Sequence, residues 1–346
     1  MPYSFFVSET SPKSTASPAR NFSPWAYWMH RLSLAETYDC FRDQPLNEYD
    51  SWRSRCLERL DELLGPAPAG VPLRLEVVSS EEGEHYRRDK VVFDSEEMMS
   101  VPAYLLVPHE GPHPGPAVVA IHGHGAGKSQ VCGLVDDGIS GDYAHQLALR
   151  GYVVLAPDLR CWGERADDVP NDHYACDTNL AHGVLAGVMP LAQNVWDLSR
   201  CVDVLVQHPL VDASRIGAVG FSYGATLSLL LAARDERVAV AVVASYFSSW
   251  AASHAVPLNM CGSQVLPGVL GRMEHVDLAA LVFPRPLLIE TATHDPLFPL
   301  ASARDSVAQL RRLYDATDRG TLVHAIFEGE HQWSGEQVYP FLGRWL

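Results

Sequence analysis

From about residue 73 onward the chain alternates between two textures. Short, uninterrupted apolar runs recur at Pro116–Ile121, Tyr152–Ala156, Ile216–Val219, Val238–Ala244, Pro286–Glu290 and Leu322–Phe327. Between most of them lie stretches with apolar residues at helical spacing: Tyr143–Leu149, Asn194–Val206, Ala225–Ala233 and Ala303–Tyr314. Strands that are apolar on both faces suit a parallel sheet with helices packed on either side. Ahead of this rhythm, Leu73–Val78, Lys90–Phe93 and Val101–Val107 are rich in Val, Leu and Tyr and are separated by turn residues. They predict an antiparallel edge. The fold class expected is therefore α/β, a mostly parallel central sheet covered by helices on both faces. Residues 248–281 follow the fourth apolar run without a convincing element and are expected to form a lid or pocket wall.

The N-terminal part reads differently. Residues 1–22 have the composition of an unstructured tail. Ser23-Pro24 offers a helix cap with proline at the first helical position, and Trp25, Trp28, Met29 and Leu32 follow at helical spacing. A second helix is expected from about Asn47 to Leu64, with Trp52, Cys56, Leu60 and Leu63 on one face and Gly65 as its C-cap. Gly65–Pro72 reads as a linker. Residues 23–70 are thus expected to be a helical arm that docks on a main domain over residues 71–346.

Composition narrows the class of protein. A chain of 346 residues that is 47% hydrophobic can bury a large core. A formal net charge of −16 argues against a nucleic-acid partner, whose phosphates would repel it. No apolar stretch has the length of a signal sequence or a membrane span, so a soluble cytoplasmic protein is expected. The seven cysteines are scattered, odd in number and without a C-x-x-C pair. They point to free thiols rather than a disulfide framework or a zinc knuckle. Homo-oligomerisation is left open.

The chemistry is concentrated at Gly220-Phe-Ser222-Tyr-Gly224. A strand that feeds a helix through so sharp a turn strains the middle residue, and the flanking positions must lack side chains. Function in an open α/β sheet collects past the carboxyl ends of the strands. There the chain carries Asp295, after the Pro286 run, and His331, after the Leu322 run. A serine hydroxyl needs a nearby imidazole as base, and the imidazole needs a carboxylate to fix its tautomer. Ser222 is therefore the candidate nucleophile, His331 the general base and Asp295 the orienting acid. Glu290 and Glu330 are rival acids and His294 a rival base. Backbone N–H groups of Tyr223 and His124 are the candidate oxyanion donors, with Gly125 in reserve. His122-x-His124 also has the form of a metal chelate, but no third ligand is evident, and His122 is expected to brace its loop instead. No cofactor and no metal are implied. Trp162, Tyr246 and Trp333 are the candidate substrate-pocket residues, with Phe247 and Trp250 near them; they suggest a small or medium acyl group.

These residues resemble the serine esterases of the α/β-hydrolase superfamily, in the branch related to dienelactone hydrolases and acetyl xylan esterases. The resemblance rests on Val118-Val-Ala-Ile-His-Gly-His-Gly-Ala-Gly-Lys128, Gly151-Tyr-Val-Val-Leu-Ala-Pro-Asp-Leu-Arg160, Asp212–Gly224, Pro284-Arg-Pro-Leu-Leu-Ile289 and Glu328-Gly-Glu-His331. It implies an α/β-hydrolase fold, a small-molecule ester substrate, and the roles already given to Ser222, Asp295 and His331. Dienelactone hydrolases proper use a cysteine nucleophile, so their lactone specificity is not implied. Cys161-Trp162 stands where such esterases usually have glycine. Cleavage of a C–C bond or an amide by the same triad is the alternative activity, and a non-catalytic binding protein of this fold the alternative class. Arg160 reads as an ion-pair partner of Asp158 or another acid rather than a grip for a substrate carboxylate.

Overall fold

A computed structural model describes residues 20–168, 174–255 and 260–346. The tail expected over residues 1–22 lies outside the described residues up to residue 19, as do residues 256–259 of the expected lid. The chain divides into two units, residues 1–35 and 36–346. The first contains helix α1 (Pro24–Ser33), whose Ser23 cap accepts a hydrogen bond from the Ala26 N–H at 3.2 Å.

The second unit carries the rest. Helix α2 (Tyr49–Leu64) precedes strands β1 (Glu76–Glu82), β2 (Tyr86–Glu96), β3 (Met99–Pro108) and β4 (Gly115–Ile121). Then come α3 (Lys128–Val131), α4 (Tyr143–Ala148), β5 (Val153–Pro157), α5 (Ala175–Ala186), α6 (Pro190–Gln207) and β6 (Val211–Phe221). The chain closes with α7 (Tyr223–Arg234), β7 (Val238–Ala244), α8 (His275–Val282), β8 (Leu287–Ala292), α9 (Leu300–Tyr314), β9 (Leu322–Phe327) and α10 (Val338–Trp345).

Nine strands form one sheet in the order β1-β2-β3-β5-β4-β6-β7-β8-β9. β1, β2 and β3 pair antiparallel and β3 joins β5 antiparallel; every pairing from β5 to β9 is parallel. This is the antiparallel edge on a parallel sheet that the apolar runs predict. β1 starts three residues later than its apolar run and is exposed throughout, as an edge strand must be. The interior strands β4 and β5 are buried at every position, which is why their sequences do not alternate.

Two cores result, one on each face. α6, α7, α8 and α9 pack on one face together with α2; α4 and α10 cover the other. Two helices, α5 and α8, have no amphipathic stripe to announce them. α8 buries all eight of its residues, so the stretch over 248–281 ends in a helix rather than in loop. The apolar residues of α5 are spread round the helix, whereas α10 buries Val338, Phe341 and Leu342 along one stripe. Residues 248–255 and 260–274 hold single turns of π- and 3-10 helix, with Ser248, Trp250, His254 and Ser263 buried.

The face of α2 is used as the spacing suggests: Trp52, Cys56 and Leu60 are fully buried. Trp52 donates to Asp39 O at 2.8 Å, and Tyr49 donates to Ala280 O of α8 at 2.8 Å. Trp52→Ala removes a full aromatic side chain from this seam and should cost about 3–5 kcal/mol in urea unfolding; a loss under about 1 kcal/mol would mean that α2 is dispensable to the core.

Candidate active site

β6 ends at Phe221 and α7 begins at Tyr223, so Ser222 alone makes the turn. It does so at φ 55° and ψ −121°, a region that an L-residue occupies only when its surroundings enforce it. The enforcement is steric. A Cβ on Gly220 would lie 2.0 Å from Gly224 O, and one on Gly224 would lie 1.9 Å from Ile121 O at the end of β4. A Cβ on Gly123 would lie 3.4 Å from the Ser222 Cβ, so the loop after β4 passes directly beside the serine. The Ser222 N–H donates to Ala244 O of β7 at 2.9 Å.

The loops after β8 and β9 bring the acid and the imidazole to this serine. His331 Nε2 is 2.9 Å from Ser222 Oγ, and His331 Nδ1 is 2.8 Å from Asp295 Oδ2. Asp295 is held in turn by the N–H groups of Leu297 and Phe298, which donate to Oδ1 at 2.8 and 3.1 Å. The His331 ring lies between Phe221 and Phe298, with ring centroids 5.0 and 5.7 Å away. Backbone bonds tie the two loops together: Thr293 N–H to Phe327 O at 2.9 Å and His294 N–H to Gly329 O at 2.8 Å. The rivals lie elsewhere. His294 pairs with exposed Glu328 at 2.8 Å, and Glu330 is exposed.

Glu290 has a different task from the one considered for it. It is buried in β8 and accepts hydrogen bonds from the Ser334 and Gly335 N–H groups at 3.1 Å each. Burial pushes its carboxyl up to about 7, against those N–H bonds, which lower it. Ser245, at φ 50° just past β7, adds a hydroxyl bond to Gln332 O at 3.2 Å. Both residues therefore fix the segment that follows His331. The hint in the sequence was an acid inside an otherwise apolar strand, which must find buried donors.

The donor loop is braced as its sequence suggests. His122 is buried and pushed down to about 4 by desolvation, hence neutral. Its Nδ1 donates to Gly123 O at 2.6 Å and its Nε2 accepts the Leu159 N–H at 3.0 Å, so neither nitrogen is left for a metal. Among the described residues no group of three or more His, Cys, Asp or Glu side chains is arranged to hold a metal ion. Among the described residues neither the His124 N–H nor the Tyr223 N–H has a backbone acceptor, and Tyr223 directly follows Ser222. The His124 ring packs on Trp162 and Tyr223 at 4.9 and 5.4 Å, and its Nε2 lies 3.2 Å from Cys261 Sγ. Burial lowers its ring below the usual histidine range.

Of the pocket candidates, Trp162 alone is brought to this group. Tyr246 is 1% exposed and stacks on His275 at 4.6 Å, bonded to its Nε2. Trp333 stacks on Tyr143 at 4.5 Å. Phe247 and Trp250 are buried as well. Tyr246, Phe247 and Trp250 make core rather than crowd a cavity, a distinction of side-chain direction that spacing cannot give, whereas Trp333 is half-buried. Arg160 pairs with Asp197 through two bonds of 2.9 Å and with Glu96 at 2.5 Å, whereas Asp158 is taken by buried Lys128.

Residues 101–313 match the dienelactone hydrolase family model. The chain belongs to the dienelactone hydrolase family. Membership makes it a carboxylic ester hydrolase. Among curated proteins it is similar to YtaP of Bacillus subtilis (strain 168), provisionally named a hydrolase, with 26% identity over 76% of this chain and 88% of that one. Among solved structures it resembles a Bacteroides fragilis NCTC 9343 protein provisionally named an acetyl xylan esterase, at TM-score 0.78 and 19% identity, covering 96% of this chain and 97% of that one. The glucuronoyl esterase from Solibacter usitatus matches at TM-score 0.62 and 16% identity, over 90% and 98% of the two chains. These likenesses show the α/β-hydrolase fold. No helix among the described residues is long and apolar enough to cross a membrane.

The Glu290 carboxyl gives a pH test. Its folded value, about 7, lies above the ordinary 4.5, so the stability it contributes is complete below 4.5 and is lost as pH rises through 7. Over roughly 2.5 units at about 1.4 kcal/mol each, the loss is roughly 3 kcal/mol. Glu290→Gln should remove that part of the slope when urea midpoints are compared at about pH 5 and about pH 8; equal slopes in variant and wild type would contradict it.

Proposed function

We propose that the protein is a serine hydrolase that cleaves carboxylic esters of small, uncharged acyl groups through an acyl-serine intermediate. The observation that carries this is the unbroken hydrogen-bond line from Ser222 Oγ through the His331 ring to Asp295, 2.9 Å and 2.8 Å long. In this reading His331 takes the hydroxyl proton as Ser222 attacks the ester carbonyl, while Asp295 holds the ring with Nδ1–H toward itself and Nε2 toward the serine. The oxygen that becomes negative is met by the N–H groups of His124 and Tyr223. Tyr223 is the first residue of α7, so its N–H has no partner within the helix and the helix dipole favours negative charge there. His331 then passes its proton to the leaving alcohol and activates a water that releases the acid.

The acyl and alcohol preferences rest on what surrounds the serine. Trp162, packed on His124, forms one wall, and residues 248–255 and 260–281 are read as another. The cations of the neighbouring loop are already spent on acids: Arg160 on Asp197 and Glu96, Lys128 on Asp158 and Glu164. Arg165 of the same loop pairs with the same Asp197 at 2.8 Å, so each of these described cations faces an acid, which favours a neutral ester. Esters of sugars fit this description, and acetyl xylan and glucuronoyl esterases are the names carried by the structural neighbours. A cytoplasmic location fits the sequence.

Ser222→Ala should lower kcat on p-nitrophenyl acetate by about 10⁴-fold or more and abolish labelling by a fluorophosphonate, while Cys161→Ala keeps the label. Asp295→Asn should cost about 10³–10⁴ in kcat with little change in KM, because the amide stabilises the wrong tautomer. Acetate and butyrate esters should turn over faster than long-chain ones. Labelling that survives Ser222→Ala would refute the nucleophile assignment.

A further inference from the structure

Three of the seven cysteines meet beside the candidate oxyanion loop. Cys161 is half-buried and holds φ 74°, a backbone region that favours glycine. Its Sγ points to Ala175 O at 3.8 Å, next to Cys176. Cys176 opens α5, and the neighbouring segment presses on it: a Cβ on Gly262 would lie 2.2 Å from Cys176 O. The Gly262 N–H also donates to Asp177 Oδ1 at 2.8 Å. Cys261, one residue before, is thereby brought against Cys176. Cys176 lies within hydrogen-bonding reach of both Cys161 and Cys261, and these contacts lower its thiol and raise the other two.

The same segment grips both proposed oxyanion donors. Cys261 Sγ lies 3.2 Å from His124 Nε2, and Ser263 O accepts the Tyr223 hydroxyl at 3.1 Å. Burial lowers the His124 ring and so favours its neutral form, and the contact with Cys261 ties that ring to this segment.

We propose that Cys176 and Cys261 are a peroxide-sensitive pair whose disulfide withdraws Cys261 from His124 and slows ester hydrolysis. The effect on activity rests on the proposed oxyanion hole; the thiol chemistry does not. The Cys176 thiolate attacks one peroxide oxygen, the O–O bond breaks, and the products are a sulfenic acid and hydroxide. The Cys261 sulfur then attacks the Cys176 sulfur. The S–S bond forms, the S–OH bond breaks, and the oxygen leaves as water with the Cys261 proton, which His124 Nε2 is placed to relay. In sum, two thiols and one hydrogen peroxide give one disulfide and two waters.

The test uses the full-length protein, reduced and then treated with hydrogen peroxide. Peptide mapping by mass spectrometry should find a Cys176–Cys261 link. Turnover of p-nitrophenyl acetate should fall at least tenfold in kcat, with KM changing less, and return with dithiothreitol. Cys176→Ala should start with wild-type activity and keep it through peroxide; if that variant does not fold, the wild-type map and the recovery with dithiothreitol still decide. Free Cys176 and Cys261 after treatment, a link to Cys161 instead, or equal inactivation of Cys176→Ala would overturn the proposal. Should the reduced protein hydrolyse no ester, the functional reading fails, while the peptide map still decides the thiol pair.

Discussion

The structure depends on one crowded crossing, where the end of β4 lies against the turn from β6 into α7. The backbone atoms there come so close that Gly220 and Gly224 cannot carry a Cβ, and Gly123 has little room for one. The crowding forces Ser222 to a positive φ. It also directs its side chain up from the sheet edge and sets the first N–H of α7 beside it. A looser packing of these two adjacent parallel strands would relax the serine and separate it from the loop over His122–Lys128. Strain at this point is sustained by the buried sheet on either side, which has no spare volume into which the turn can unfold.

Around that crossing the other groups are held by short-range ties rather than by a large rigid domain interface. Asp295 is fixed by two N–H groups of its own loop and His331 by rings on both sides. The segment after His331 is pinned from below by Glu290 and Ser245, on the neighbouring strands β8 and just past β7. On the opposite flank, buried Lys128–Asp158 and Arg160–Asp197 pairs anchor the loops after β4 and β5. Pairs of this kind contribute little net stability, since desolvation offsets most of the attraction. They do restrict loop geometry, and breaking one leaves an uncompensated buried charge. Preorganised donors of this sort act only if they stay put during the reaction.

Much of this was legible in the chain before any coordinates. Continuous apolar runs located the six parallel strands because those strands are covered on both faces. The G-x-S-x-G turn located the serine, because the crossing admits only glycine at its flanks. The order of Ser222, Asp295 and His331 along the chain, each past a strand end, then matched the convergence seen in the fold. Three kinds of information were not legible. Helix α8 is buried on every side, so its periodicity is silent. Tyr246 sits just past β7, yet its ring turns into the core, a matter of rotamer and neighbours. Glu290 appeared as a rival acid, whereas its carboxylate binds backbone N–H groups from a loop far off in sequence.

The account's central claim is that the strained serine faces a preformed pair of backbone donors. The direct test is a crystal structure of the protein after reaction with a small alkyl phosphonate, which mimics the tetrahedral intermediate on a serine oxygen. The account predicts phosphorus bonded to Ser222 Oγ and the phosphoryl oxygen about 2.7–3.1 Å from the N–H nitrogens of both His124 and Tyr223. A phosphoryl oxygen directed to solvent, or held by neither of these two amides, would contradict it.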